Sequence, residues 1–349
     1  MVVVTLADLR YRYRQFLIAV LGAGLVLAMA LLMAGLVGGF SAETGQTVGG
    51  VGADRWVLST GSSGRIAAVG LFPQTEVAVV RHLPGVTRAD PIVLLPGEVA
   101  LVGGKTRTVN VMGVRVGGMG DPAVTAGRPL SGPGQVVVDP RSGAGLGSTV
   151  VVGGAPFRVV GQVDDRTLIA GGPMVYMALA EAQSVALEGR PLVTAVVTRG
   201  VPGRPLPGYL VLTDAVVEQR TLDSLAPAVS SINNTKILMW VVAGVIIAAL
   251  LYVSALQRVG DFAVLKALGA SSGKLYVGLA FQAVLVALIA AVIAVVLAQF
   301  MTGVFSQPVD FPSSAYVVLP VSAIVVGLLA SLVALRRAVS ADPAKAFAG

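Results

Sequence analysis

The spacing of apolar positions changes several times along the 349 residues. Four runs, roughly 16–40, 237–256, 275–301 and 315–335, contain no Asp, Glu, Lys, Arg or His. Each meets the ~20 residues that a helix needs to cross ~30 Å of hydrocarbon. They predict four membrane-spanning helices. Between the first and second runs the pattern shortens to β-branched stretches bounded by turn residues: "RWVLSTG", "TRTVNVMGV", "GQVVVDP", "STVVVGG", "FRVVGQV" and "TAVVTRG". Such stretches predict strands. "VVVGGAPFRVVGQV" predicts a hairpin joined through Gly153, Gly154, Ala155 and Pro156. Helices are predicted at "QTEVAVVRHLPGV", which stops at a Pro-Gly, and at "MALAEAQSVALEG", which stops at Gly189. The fold class that follows is an α-helical membrane protein with four transmembrane helices. A mixed α+β, mostly β extracytoplasmic domain is inserted between helices 1 and 2.

Composition agrees that part of the solvent is lipid, since mean hydropathy is +0.84 and only 12% of residues are charged. The net charge of +7 could suggest a nucleic-acid partner, so its placement matters. Short segments flanking the apolar runs hold Arg10, Arg12, Arg14, Arg258, Lys266, Lys274, Arg336, Arg337 and Lys345 against Asp8, Asp261 and Asp342. The segment 302–314 has no Lys or Arg, only Asp310. This asymmetry is the positive-inside pattern. It divides the chain into a cytoplasmic segment 1–14, helix 15–40, external domain 41–236, helix 237–257, cytoplasmic loop 258–274, helix 275–301, external loop 302–314, helix 315–335 and cytoplasmic tail 336–349. The protein is expected in the cell inner or plasma membrane with both termini inside. The external domain is nearly neutral, with sixteen basic and fourteen acidic residues, so the basic residues serve topology and not nucleic acid. The first run is longer than the apolar core of a signal peptide, and "GLVGGFSAET" offers a poor cleavage site. It is expected to remain as an anchor. Trp240 sits where an interfacial aromatic would anchor the second span.

Candidate chemistry is sparse. "LVGGKT" at 101–106 ends like a phosphate-binding loop, but the required earlier glycine position is Val99. "SGAGLGST" at 142–149 has Ser148 where a dinucleotide fingerprint needs glycine. Both are expected to be turns. His82 is the only histidine and there is no cysteine, so a zinc site would depend on carboxylates almost alone. His82 is expected at a helix end or on the surface. Asp164 and Asp165 are adjacent after a strand and would point to opposite faces. "NNT" at 233–235 has the spacing of a glycosylation acceptor but abuts a span. Neither a metal nor a cofactor is expected in this chain, and no catalytic residue is assigned. The most polar residues inside the spans are Gln282, Gln299, Ser254, Ser322 and Ser331. Helix–helix contact is the expectation for these.

The stretch "QRVGDFAVLKALGASSGKLY", residues 257–276, is unusual between two apolar runs. Phe262, Leu265 and Leu268 recur every three residues, with Arg258, Asp261 and Lys266 among them. Gly269 can end a helix, and Ser271 or Ser272 can cap the next. A short cytoplasmic helix with apolar teeth and fixed charges suits a groove in another protein. The pattern fits equally an inter-helix loop lying on headgroups.

"RVGDFAVLKALGAS" resembles the signature of the permease family that includes MacB, FtsX and the lipoprotein-releasing LolC and LolE proteins. There the pattern runs approximately R-x-R-E-φ-x-φ-L-[RK]-A-φ-G-A, with φ apolar. The match rests on Arg258, Phe262, Val264, Lys266, Ala267, Leu268, Gly269 and Ala270; Gly260 replaces a basic residue, and Asp261 a Glu. The ending "ALRRAVSADPAKAFAG" is similar to the family's tail, and "AGRPLSGPGQVVVDPRSGAGLGSTVVVGGAPFRVVGQV" to the MacB-like periplasmic core. The resemblance implies the permease subunit of an ABC system with a separate cytoplasmic ATPase that binds the ATP. It assigns the ATPase-coupling role to Arg258, Asp261, Phe262, Leu265, Lys266, Leu268, Gly269 and Ala270. It also implies a second permease copy or paralogue as dimer partner, an extracytoplasmic adaptor or substrate-binding partner, and membrane lipid. Export or extraction of an amphipathic or apolar substrate is the function expected. An FtsX-like signalling component that regulates a cell-wall hydrolase is the alternative.

Overall fold

The structure is a computed structural model that describes residues 13–339 apart from 67, 69, 165–166, 169–170, 258–259, 261–263, 265–271 and 305–308. The described residues fall into two compact units: a β-rich one from 39–227, and a helical one from 13–38, 228–304 and 309–339. The first helix, α1 (Tyr13–Gly49), contributes residues to both.

In the β-rich unit the strands are β1 (Arg55–Ser59), β2 (Phe72–Pro73), β3 (Val86–Val102), β4 (Lys105–Val114), β5 (Ala126–Gly127), β6 (Gln135–Val138) and β7 (Thr149–Val152). They continue as β8 (Ala155–Gln162), β9 (Thr167–Leu168), β10 (Gly172–Ala178), β11 (Leu192–Val193), β12 (Ala195–Gly200) and β13 (Tyr209–Leu212). Helices α2 (Glu76–Arg81), α3 (Leu179–Leu187) and α4 (Asp214–Asp223) complete it. Eleven strands form one sheet along the path β13-β1-β12-β3-β4-β10-β6-β8-β5, with β7 pairing β3 and β8, and β9 pairing β10. Most pairs are antiparallel, but β4 with β10 and β6 with β8 are parallel.

Alternate residues serve opposite faces of a strand, and here both faces are covered. Val136 and Val138 enter one apolar core with Val77 and Val80 of α2 and Ala182 of α3; Val137 enters the other with Val48 of α1 and Val217 of α4. The same split separates Val57 from Trp56 and Leu58, and Val93 from Ile92 and Leu94. That is why stretches such as Ile92–Leu94 and Val136–Val138 are continuously apolar and buried. Gly113 of β4 makes room for α3, because a Cβ there would stand 2.4 Å from Cβ of Ala182.

The turn expected at 101–106 and the hairpin expected between the Val-rich strands are both present. β3 and β4 are joined by Gly103 and Gly104, and β7 and β8 by Gly153 and Gly154. All four have positive φ, between +54° and +81°. A two-residue hairpin turn of this hand needs positive φ at both positions, which glycine supplies without steric cost. Ala155 and Pro156, expected in the second turn, instead pair within β8 against Val152 and Val151. His82 is exposed and ends α2, with its ring Nδ1 2.7 Å from the carbonyl oxygen of Ala78.

The helical unit contains α5 (Ala226–Leu256), α6 (Ser272–Met301) and α7 (Ala315–Val339) beside the apolar part of α1. Small residues set the spacing. Ala283, Ala287, Ala290 and Ala294 form a buried row on α6. Against it, a Cβ on Gly24 of α1 would meet the Ala290 carbonyl oxygen at 3.2 Å, and one on Gly327 of α7 would meet the Ala283 carbonyl oxygen at 3.1 Å. Close backbone approach of this kind is how helices associate where lipid removes the hydrophobic drive.

Three helical stretches, Phe16–Gly49, Ala226–Leu256 and Val277–Met301, are long and apolar enough to cross a membrane. Two helices run beyond their apolar runs. α1 does not stop at Phe40 but continues through polar Ser41–Gly49, and the second apolar run lies in a helix that starts at Ala226. Hydropathy marks where lipid contact would end, which need not be where a helix ends. The fourth expected span, 315–335, is a helix with Pro320 inside it. Its apolar stretch among the described residues, Ala315–Leu329, is shorter than a crossing.

Candidate functional site

The expected coupling residues Arg258, Asp261, Phe262, Leu265, Lys266, Leu268, Gly269 and Ala270 lie outside the described residues. Of that loop, Gly260 and Val264 are described, both helical and exposed. Asp165 is likewise outside, while Asp164 is exposed at a bend.

What the structure adds is a polar cluster at the end of α1. Only ~20 residues of a helix are needed to cross hydrocarbon, and the charge-free run ends at Phe40, leaving Ser41–Gly49 to the β-rich unit. Glu43, Thr44 and Thr47 are all buried there. Thr167 of β9 donates its hydroxyl to Oε1 of Glu43 at 2.9 Å, and Thr47 donates to the Thr167 carbonyl oxygen at 3.0 Å. Asn110 of β4 ties the same segment from the other end, with Nδ2 donating to the carbonyl oxygens of Leu168 at 2.7 Å and Gly172 at 2.8 Å. The last turns of α1 are thus bonded, through β9, to the middle of the sheet. Burial pushes the Glu43 carboxyl up from 4.5 to about 7, against the lowering influence of the Thr167 hydroxyl, the Gly171 N–H and Arg141. Desolvation of the charged form outweighs the bonds made to it.

Two further polar contacts hold the sheet. Asp90 on β3 is 0% exposed. It takes Arg88 Nε and the Met119 N–H on Oδ2, each at 2.8 Å, and lies 2.8 Å from Arg115 Nη2 through Oδ1. Trp56 donates Nε1 to Oδ1 of Asp214 at 2.8 Å, and burial raises the Asp214 carboxyl above its ordinary range. Among the described residues no three His, Cys, Asp or Glu side chains gather as a metal site would require.

In the helical unit, Gln282 of α6 donates to Ser254 Oγ of α5 at 3.4 Å, and Gln299 of α6 donates to the Tyr316 hydroxyl of α7 at 2.9 Å. Ser322 and Ser331 donate to carbonyl oxygens of their own helix, Leu319 at 2.8 Å and Leu328 at 2.7 Å. The two glutamines therefore join helices, as expected, whereas the two serines satisfy themselves locally.

A family model described as FtsX-like permease C-terminal matches residues 236–343, and one described as MacB-like periplasmic core domain matches residues 16–221. Over 349 residues, 100% of both chains, the protein is 38% identical to an uncharacterized ABC transporter permease of Mycobacterium tuberculosis (strain ATCC 25618 / H37Rv). It is 37% identical, again over 100% of both, to another from Mycobacterium bovis (strain ATCC BAA-935 / AF2122/97). Among solved structures, the periplasmic region of MacB from Actinobacillus actinomycetemcomitans matches with a TM-score of 0.36 and 15% identity, covering 50% of this chain and 95% of that one. The extracellular domain of the noncanonic ABC-type transporter YknZ from Gram-positive bacteria matches with a TM-score of 0.35 and 14% identity, covering 45% and 98%. The chain belongs to the ABC transporter permeases, and within them to the type that joins a MacB-like core to an FtsX-like C-terminal region.

Sequence reasoning missed the Glu43 cluster. A Glu followed by Thr44 and Thr47 just past an apolar run carries no local mark of burial, and its partner Thr167 is 124 residues away.

Proposed function

We propose that this chain transmits ATP hydrolysis by a separate cytoplasmic ATPase to its β-rich unit, for export or extraction of an amphipathic or apolar substrate. The observation that carries this reading is α1: a single unbroken helix whose apolar part packs in the helical unit and whose polar end is bonded into the β-rich one. A shift or turn of such a helix moves the sheet segment it holds, without any chemistry in this chain. ATP is bound by the partner, the 258–274 loop receives the ATPase on the cytoplasmic side, and a second permease copy or paralogue completes the assembly.

Leu265→Asp places a charge among the apolar teeth of the loop and is expected to abolish co-purification of the ATPase from native membranes. Expression and detergent extraction should stay as in the unmodified chain. Unchanged co-purification of a nucleotide-hydrolysing subunit would remove the coupling role from this loop.

A further inference from the structure

Between α5 and α7, inside the helical unit, runs a groove of about 420 Å³. Trp240, Gly244 and Ala248 line it from α5 at intervals of four, so they share one face of that helix, with Val326 and Leu329 of α7 opposite. Gly244 marks the close approach, since a Cβ there would stand 2.7 Å from Cγ1 of Val326. The groove lining contains no charged residue.

The charge is one turn away on the same face. Lys236 Nζ lies 6.0 Å from the centroid of the Trp240 ring and donates to Oδ1 of Asn233 at 2.8 Å. Lys236 and Trp240 together line a smaller adjoining space of about 50 Å³. The Trp240 indole Nε1 is buried and meets no acceptor. A buried donor left unmet is costly, so an acceptor that the ring can turn to meet is favoured beyond its charge. A cation and an unmet N–H at the head of a wholly apolar slot complement a molecule with a negative head and a hydrocarbon tail. An inorganic anion has no use for the slot. The apolar runs of a second copy hold no Asp or Glu to offer the cation.

We propose that this groove binds a membrane lipid with an anionic headgroup, its acyl chain along α5 and α7 and its headgroup at Lys236 and the Trp240 N–H. The proposal rests on the chain lying in a bilayer, as under the proposed function, but not on the ATPase coupling.

The chain has two tryptophans, and Trp56 is 1% exposed in the β-rich unit, so Trp56→Phe isolates the emission of Trp240. The full chain is reconstituted in nanodiscs of phosphatidylcholine and phosphatidylglycerol, with bromine on the acyl chains of one or the other. Brominated phosphatidylglycerol should quench at a several-fold lower mole fraction than brominated phosphatidylcholine. Lys236→Gln should erase that preference, and Ala248→Leu should weaken quenching by both. Should Trp56→Phe not fold, the same comparison is made by difference against Trp240→Phe. Equal quenching by the two lipids would mean ordinary lipid contact and overturn the proposal, and so would no quenching by either, as expected of a second copy covering the groove. ATPase co-purification is read separately, so failure here leaves the coupling test standing.

Discussion

Asp90→Ala is expected to cost the β-rich unit about 3–5 kcal/mol, the usual loss when one partner of a buried ionic cluster is removed. The carboxylate is 0% exposed and satisfies Arg88, Arg115 and the Met119 N–H together. Without it, the Met119 N–H loses its acceptor and a cavity opens beside β3. Arg88 and Arg115 have side chains 41% and 47% exposed, so both can turn toward water, which places the loss toward the lower end of that range. Asp90→Asn keeps the shape and an acceptor for Met119 while losing the charge, and should cost about 1–2 kcal/mol. Denaturant unfolding of the full chain in detergent, followed by Trp56 emission in a Trp240→Phe background, measures both. An alanine variant within 1 kcal/mol of the unmodified protein would show the cluster to be dispensable.

Glu43→Gln is expected to do the opposite, and only at higher pH. In the folded chain burial holds the Glu43 carboxyl at about 7, against 4.5 when unfolded. Below 4.5 both states carry the proton and burial exacts no charge penalty. As pH rises through 7 the unfolded chain releases its proton more readily, so stability falls across that window and levels off above it. At about 1.4 kcal/mol per tenfold change in proton affinity, the fall is on the order of 3 kcal/mol. Glutamine has no proton to lose and still accepts the Thr167 hydroxyl. The variant should therefore match the unmodified chain near pH 4 and exceed its melting temperature by several degrees at pH 8. Parallel profiles for the two proteins from pH 4 to 8 would show that Glu43 ionises freely in the folded state.

Local features were legible in the sequence. The Gly-Gly pairs between β-branched runs marked both hairpins, because few other residues accept two successive positive φ values. β3 was not legible. Its Pro91 and the Pro96-Gly97 pair look like turn punctuation, yet Pro91 pairs with Val196, and the register shift between Leu95 and Glu98 absorbs the other pair. α4 also escaped, although Thr213 caps it with a hydroxyl that accepts from the Val216 N–H and Asp214 lies in its first turn. The parallel pairings of β4 with β10 and β6 with β8 join segments distant in sequence and leave no local trace. For the candidate site, glutamines facing a helix neighbour followed from polarity inside apolar runs, whereas the burial of Glu43 depends on β9, 124 residues away in sequence.

Glu43 and Thr47 stand one turn apart near the end of α1, so both meet Thr167 from a single face of the helix. One alanine added between them would swing Thr47 by ~100° about the axis and off that face. The spacing of this pair is consequently fixed to the helical repeat, and an insertion within the turn forfeits one of its two bonds to β9.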